Sequence, residues 1–377
     1  MKIKMTDDKQ SDNKMTDGLL SGLEGIEDAR EVQPRDQTTI DTLLEVEQKL
    51  VSKYYLKMPE ITTLTDLERT ETFYLDVFKF VILNLHGMKF NENDLNYYLI
   101  SRMNNDFEER KAMAIGMYTG CLAHLLTDRN ALQDKRTTIH VNGNGMRFEK
   151  LFAFARVVDT LIVENVVGND ICSYVGSHYG SANTVICSGI NGIATLCGAA
   201  KYHGRINKAI ALNCKGAAAL EGIASDNGYA TQAIGVDIKG DATFSACAIN
   251  GYIEQIIGAD LDGGMDILSE LCQSKGRVDQ IILAEIGKHT FLRLAGKENG
   301  NLNQVLCDDT TYVSDEILCK ELLSVAEARK QHHEEQYVNR VQRAIDLARS
   351  LKDKPYKEVL RIADEFYALR PITITYF

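Results

Sequence analysis

Side chains that can exchange protons recur at one corner of a repeating pattern in the middle of the chain. Short polar runs each end at a glycine, at intervals of 24 residues. If successive runs stack, His178, Tyr202 and Asp226 share one column, and His203 falls in the next. Histidine exchanges protons near neutral pH, tyrosine donates hydrogen bonds and a carboxylate can orient an imidazole. These four residues are the candidate catalytic cluster, although a tight corner alone also favours polar residues before glycine.

A charged run offers a second candidate for chemistry. His332 and Glu335, from the run His-His-Glu-Glu, would fall on one face of a helix. Zinc sites use three or four protein ligands, and this run has no third ligand at a motif spacing. We interpret it as solvated helix surface and predict no metal site.

The positions of the cysteines predict that these side chains pack against the core and are not reactive. The chain has nine cysteines and no C-x-x-C pair, so it indicates neither a disulfide framework nor a zinc ribbon. Cys172, Cys214 and Cys247 fall in or beside apolar columns, where cysteine behaves as a small hydrophobe. Cys197 is predicted to point outward beside Glu221, whose negative charge would not acidify the thiol. With no Walker A, nucleophile-elbow or H-E-x-x-H motif, the sequence predicts no cofactor.

A 24-residue repeat predicts that residues 137–306 form a β-solenoid of about seven turns. A unit of this length cannot bury an apolar face alone, but stacked copies bury a continuous one. Short segments that end at glycine corners favour strands over helices, and we predict a three-sided parallel β-helix. Two columns recur at glycine corners: Gly168, Gly192, Gly216, Gly240 and Gly264; and Gly180, Gly204, Gly228, Tyr252, Gly276 and Gly300.

Apolar columns at the same period define the predicted core. The first contains Ile162, Ile186, Ile210, Ile234, Gly258, Ile282 and Leu306; its neighbour contains Leu161, Val185, Ala209, Ala233, Ile257, Ile281 and Val305. The third contains Cys172, Leu196, Leu220, Phe244, Leu268 and Leu292; the fourth contains Val175, Ala199, Ile223, Cys247, Leu271 and Ala295. Extrapolation backwards assigns Phe148 to the third column and Leu151 to the fourth, in a weaker first turn that starts near Thr137. A polar column predicts a ladder of stacked side chains: Asp159, Asn183, Asn207, Thr231, Gln255, Asp279 and Asn303.

Helical domains are predicted on both sides of the solenoid. Residues 1–38 are polar and acidic, and we interpret them as a disordered tail. Residues 39–136 and 307–377 have helical periodicity, with a capping-box spacing at Thr65 and a long helix predicted from Ser314 to Lys352. Gly116 and Gly120, four residues apart, predict the close approach of another backbone. The helical domains would block the open ends of the solenoid.

Charge and composition exclude several partner classes. The net charge of −11 argues against nucleic acid and anionic membranes as general partners. No run of about 18 apolar residues predicts a membrane span, and the first residues lack the apolar core of a signal peptide. We therefore expect a cytoplasmic protein.

The sequence favours a non-enzymatic β-solenoid scaffold with a protein partner, and it leaves the oligomeric state open. The first alternative is a carbohydrate-active β-helix enzyme, a lyase or hydrolase. The absence of tryptophan and the scatter of acidic residues over different columns argue against it. The order helical domain, β-helix, helical domain also resembles the scaffold subunits of sulfur-mobilisation iron–sulfur assembly. This resemblance is one of layout and rests on no motif, and the core-facing cysteines argue against cluster assembly.

Overall fold

The computed structural model describes residues 38–57, 66–263, 267–287, 299–308, 319–324 and 335–370, with Gly296, Ala326 and Lys330. The predicted tail, apart from Thr38, lies outside the described residues. So do Thr65, Leu292 and Ala295.

Within the described residues, nine parallel strands lie in chain order in one sheet. They are β1 Thr138–Asn142, β2 Val157–Glu164, β3 Ser181–Ser188, β4 Arg205–Lys215, β5 Tyr229–Lys239, β6 Tyr252–Asp262, β7 Arg277–Ile286, β8 Asn301–Cys307 and β9 Cys319–Leu323. The helices whose bounds the structure describes are α1 Thr39–Tyr54, α2 Asp66–Asn84, α3 Glu92–Arg102, α4 Glu109–Ala131, α5 Glu335–Arg349 and α6 Tyr356–Ala368, with a 3₁₀ turn at Tyr55–Lys57. The predicted β-solenoid of about seven turns, flanked by helices, is confirmed.

The prediction of three strand-bearing sides is wrong for the described part of the chain. Each turn carries one long strand, and the rest of the turn, where the structure describes it, is a ribbon in which alternate residues have positive φ. In one turn these residues are Ala218, Leu220, Gly222 and Ala224, with φ between 53° and 66°. The alternation turns successive N–H groups to opposite sides. Leu220 donates to the carbonyl of Thr195 in the preceding turn, and Gly222 donates to that of Ser245 in the following one. Inter-turn hydrogen bonds thus offset the cost of left-handed backbone, about 1 kcal/mol per residue.

Two separate cores lie on the two faces of the sheet. Neighbouring residues in a strand point to opposite faces, so the adjacent columns that contain Leu161 and Ile162 lie on opposite faces of the sheet. The inner column fills the solenoid: Leu161, Val185, Ala209, Ala233, Ile256, Ile281 and Val305. The outer column is buried beneath α5 and α6: Ile162, Ile186, Ile210, Ile234, Ile257, Ile282 and Leu306. The predicted burial of the Ile162 column is confirmed, but this column belongs to a second core outside the solenoid.

The register of β6 departs by one residue from a strict repeat. Ile257 pairs with both Ile234 and Ile282, which shifts Gly258 out of the predicted column. At the corner before β6, Gly251 takes the place predicted for Tyr252; a Cβ there would lie 1.7 Å from the carbonyl oxygen of Ala224. After β6, Gly263 takes the place predicted for Gly264, since it packs on the carbonyl of Gly240.

The first turn is also shorter than predicted. Cys172 donates to the carbonyl of Leu151, as Leu196 donates to that of Ile171 in the next turn. This equivalence places Phe152 in the Cys172 column, so the assignment of Phe148 and Leu151 to the third and fourth columns is wrong.

Helix α4 closes the N-terminal end of the solenoid. A Cβ on Gly116 or Gly120 would lie 2.4 Å from the carbonyl oxygen of Lys150 or Ala153 respectively, so both glycines allow the helix to touch the backbone of the first turn. Thr119 strengthens this contact, because its Oγ1 accepts a 2.9 Å hydrogen bond from the N–H of Phe152. The predicted close approach is confirmed, and one core runs from the helices into the solenoid.

The C-terminal segment differs most from its prediction. Strand β9 extends the sheet within the region predicted to be one long helix, and α5 is described from Glu335 onward. Helices α5 and α6 lie against the outer face of the sheet instead of across its end. The apolar seam of α5 faces the sheet: Val338, Val341, Ile345 and Ala348.

A buried glutamine ladder joins the sheet to α6. The side-chain amides of Gln232, Gln255, Gln280 and Gln304 form a chain of 2.7 Å hydrogen bonds, each Nε2 donating to the next Oε1. The first three also donate to the carbonyls of Ala363, Phe366 and Leu369, at 2.8, 3.1 and 3.5 Å. Three helical residues rise about 4.5 Å, close to the strand spacing of about 4.8 Å, so one face of α6 matches the ladder.

Candidate functional site

The ribbon that follows each strand brings the four residues of the predicted catalytic cluster together. They stack in the order that the 24-residue repeat predicts. The N–H of His178 donates to the carbonyl of Lys201, and that of Tyr202 donates to Ser225, so the three corners stack. The rings of His178 and Tyr202 lie 4.8 Å apart and are tilted by 31°. The exposed ring of His203 stacks on Tyr179, at 4.8 Å and nearly parallel. The cluster is therefore two short ring stacks along the solenoid axis.

His178 is held in its neutral form. Its side chain is buried, its Nδ1 lies 3.0 Å from Oγ of Ser177, and Arg156 donates to its carbonyl oxygen. Burial first, and then the positive charges of Arg156 and Lys201, lower the pKa of His178 to about 4. An imidazole of such low basicity is a weak general base at neutral pH.

Asp226 is engaged by a lysine. The Nζ of Lys201 lies 3.4 Å from its carboxylate and 4.9 Å from the centre of the Tyr202 ring. Lys201 therefore joins the carboxylate of one turn to the ring stack of its own turn. These contacts suit a ladder that holds successive corners in register.

We expect the stability of the protein to fall between pH 6.5 and pH 4 because of His178. Its pKa of about 4 in the folded protein lies below the ordinary value of 6.5, so the unfolded chain binds the proton more tightly in this window. The stabilisation is complete above pH 6.5, and about 2–3 kcal/mol is lost as the pH falls to 4. Urea unfolding at half-unit steps of pH should show this slope in the wild type and a smaller one in His178→Asn. Equal slopes in both proteins would contradict the assignment.

The other predicted residues are placed as follows. The Cys197 side chain is half-buried; burial and the charge of Glu221 raise its pKa to about 12, consistent with an unreactive thiol. Glu335 begins α5, while His332, His333 and Glu334 lie outside the described residues. No group of three or more metal-ligating side chains occurs within the described ranges.

Sequence reasoning missed a tyrosine–carboxylate–arginine network further along the solenoid. Glu254 accepts hydrogen bonds from the hydroxyl of Tyr229 and from Arg370. On the next strand, Asp279 accepts from Tyr252 at 2.5 Å and from Arg277 at 2.6 Å. The one-residue shift of β6 brings Glu254, instead of Gln255, into the column of Asp279. The flanking pair of Tyr252 and Gln255 around Glu254 would have been the signal, because it matches Arg277 and Gln280 around Asp279.

The polar column predicted as a ladder forms in part. Nδ2 of Asn207 donates to Asn183 at 2.9 Å, and Nδ2 of Asn183 donates to Asp159 at 3.3 Å. Farther along, Nδ2 of Asn303 donates to Asp279 at 2.7 Å. Gln255 is the misplaced member, because it belongs to the buried glutamine ladder.

Comparisons with known proteins add no family to this geometry. Within the described residues, no helix has the length and apolar character needed to cross a membrane. The chain matches none of the protein-family models, curated proteins or solved structures with which it was compared.

Proposed function

We propose that this protein is a non-enzymatic scaffold that binds a protein partner along the outward face of its strands. The surface in question, here called the polar strip, consists of Ser181, Arg205, Tyr229, Tyr252, Arg277 and Asn301. These residues pair in register from β3 to β8, so their side chains repeat at about 4.8 Å over six consecutive strands.

The composition of the strip is the observation that carries the proposal. Its centre consists of two adjacent tyrosines with an arginine on each side. Both residue types are enriched where protein interfaces concentrate their binding energy. The tyrosines are held in place, since Tyr229 and Tyr252 meet edge to face at 5.5 Å and each donates to a carboxylate. A rigid, regular row of anchors loses little conformational entropy on binding.

One observation favours the alternative of a carbohydrate-active enzyme. Glu254 and Asp279 occupy equivalent positions on β6 and β7, and glycoside hydrolysis uses a pair of carboxyl groups. One of the pair must carry a proton to act as the acid. Here each carboxylate already accepts hydrogen bonds from a tyrosine and an arginine, which fix both side chains in place. The arrangement therefore supports a fixed network more than acid–base chemistry.

Affinity capture from native lysate with matched arginine variants tests the scaffold proposal. We expect Arg277→Ala to reduce the captured partner at least tenfold, because it removes the cation beside the two tyrosines of the strip. Arg361→Ala is the control, since Arg361 is also exposed and paired with carboxylates but lies on α6, outside the strip. Equal capture by both variants, or no protein enriched by the wild type, would contradict the proposal. Turnover of a polysaccharide panel that Glu254→Gln abolishes would favour the enzyme.

A further inference from the structure

A groove lies where the N-terminal helices meet the solenoid, at the opposite end of the sheet from Arg277. One wall is the end of α4 and the segment from Asp134 to Thr137; the other is the start of β2, β3 and β4. Its volume of about 700 Å³ falls within the range of small-molecule sites. We call it the junction groove.

The floor of the junction groove is rich in hydrogen-bond donors. Asn183 and Asn207 each use one N–H of the side-chain amide in the ladder that ends at Asp159. A primary amide carries two N–H groups, so a second donor of each side chain is left for a ligand. Ser181 adds a hydroxyl beside them.

The charges that line the groove are unequal. Lys135, Arg136 and Arg205 contribute three positive charges, against Asp134 and Asp159. The charge of Asp159 is already compensated, because its carboxylate accepts from Nη1 of Arg136 at 3.0 Å and from the N–H of Thr137 at 3.1 Å. The side chains that line the groove therefore carry a net positive charge, whereas the net charge of the whole chain is −11.

The end of α4 would repel an anion in the groove if its last carbonyl groups accepted no hydrogen bonds. The last carbonyls of a helix carry partial negative charge. Those of Asp128 and Ala131 instead accept from the N–H groups of Leu132 and Asp134, and Asn130 accepts from Lys135. The turn after α4 therefore satisfies the carbonyls that border the groove.

Arg205 supplies a guanidinium that can bind an anion in the groove. Its side chain is exposed, and its guanidinium forms no hydrogen bond or ion pair with the part of the chain that the structure describes. Guanidinium groups bind carboxylate and phosphate oxygens in a bidentate manner. We infer that the junction groove binds a small organic anion through a carboxylate or phosphate group held by Arg205, with the free amide N–H groups of Asn183 and Asn207 as further donors. This inference goes beyond the scaffold proposal, although Ser181 and Arg205 also belong to the polar strip.

Isothermal titration calorimetry of the full chain with citrate and, separately, inorganic phosphate tests the inference. At low salt, we expect saturable binding of at least one probe, weakening as ionic strength rises because the contact is charged. Arg205→Gln should weaken binding at least tenfold. Lys215→Gln should change it less than twofold, since it removes the same charge from the far end of the same strand.

The two probes separate the possible ligand classes. Binding of citrate alone supports a carboxylate ligand, and binding of phosphate alone supports a phosphate ester. The inference is overturned if neither probe binds the wild type, or if the two variants weaken binding equally. Thermal melts of both variants should match the wild type, which shows that lost binding does not come from unfolding.

Discussion

Replacing Ala209 with aspartate is expected to unfold the solenoid, whereas the same change at Ile210 should release only the C-terminal helices. Both side chains are fully buried, and they are neighbours on β4. They belong to different cores, because Ala209 faces the interior of the solenoid and Ile210 faces α5 and α6.

The difference follows from what can move away from the new charge. An unpaired carboxylate inside the solenoid has no route to water unless the turns separate, at a cost of at least about 5 kcal/mol. At Ile210, water reaches the carboxylate once the helices detach. That detachment forfeits the outer core, but it leaves intact the backbone hydrogen bonds of β4 with β3 and β5.

Circular dichroism and limited proteolysis distinguish the two outcomes. For Ile210→Asp we expect retained β-sheet signal and rapid cleavage within residues 335–370. For Ala209→Asp we expect loss of the β-sheet signal or insoluble protein. Ala209→Ser, which adds one small polar group at the same position, serves as the control and should remain folded. Cooperative unfolding of both aspartate variants would show that the outer core is required for the solenoid.

The solenoid could be predicted from sequence because stacking imposes the same steric requirement at equivalent positions of successive turns. At Gly192 and Gly204, a Cβ would lie within 2.1 Å of a carbonyl oxygen of the preceding turn, so only glycine fits. Such positions mark each turn without reference to any other protein. The prediction failed where a turn is a residue shorter, as at Gly251, because a fixed period cannot follow such a shift.

Two features had no signal in the sequence. The ribbon with alternating positive φ uses residues such as Leu220, which disfavour left-handed backbone in isolation. The hydrogen bonds between turns select that conformation, so it exists only in the stacked structure. Likewise, the two faces of the sheet are both apolar, and periodicity alone could not assign the Ile210 column to an outer core beneath α5 and α6.

The candidate site was predictable in placement but not in chemistry. The strict repeat between β3 and β5 correctly stacked His178 with Tyr202. The sequence did not indicate that burial would lower the pKa of this imidazole to about 4, or that Lys201 would engage Asp226. Both effects come from residues one turn away, and they suit a structural ladder.

Replacing Gln255 with leucine is expected to loosen α6 by about 2–5 kcal/mol, much more than the same change at Gln232. Gln255 lies inside the ladder, so its loss deprives Nε2 of Gln232 of an acceptor and Oε1 of Gln280 of a donor. Each buried polar atom left without a partner costs about 1–3 kcal/mol. Leucine has a similar volume, so the packing changes little.

Gln232 is the matched control because the ladder already ends there with one unsatisfied atom. Its buried Oε1 has no hydrogen-bond partner among the described residues, since the same position on β4 is Lys208, which reaches Asp364 at 2.5 Å. Gln232→Leu removes that atom and leaves Oε1 of Gln255 unsatisfied in its place. The number of unsatisfied ladder acceptors is therefore unchanged, and only the donor to the carbonyl of Ala363 is lost.

Hydrogen exchange of the α6 amides measures this difference directly. Because opening of α6 exposes its amides, we expect exchange at least about 30-fold faster in Gln255→Leu than in the wild type, and less than about tenfold faster in Gln232→Leu. Amides of β4, which bond within the sheet, should be protected equally in all three proteins. Equal acceleration in both variants would mean that contact with the helix carbonyls, and not continuity of the ladder, holds α6. An unchanged rate in Gln255→Leu would mean that the isoleucines of the outer core suffice to hold the helix on the sheet.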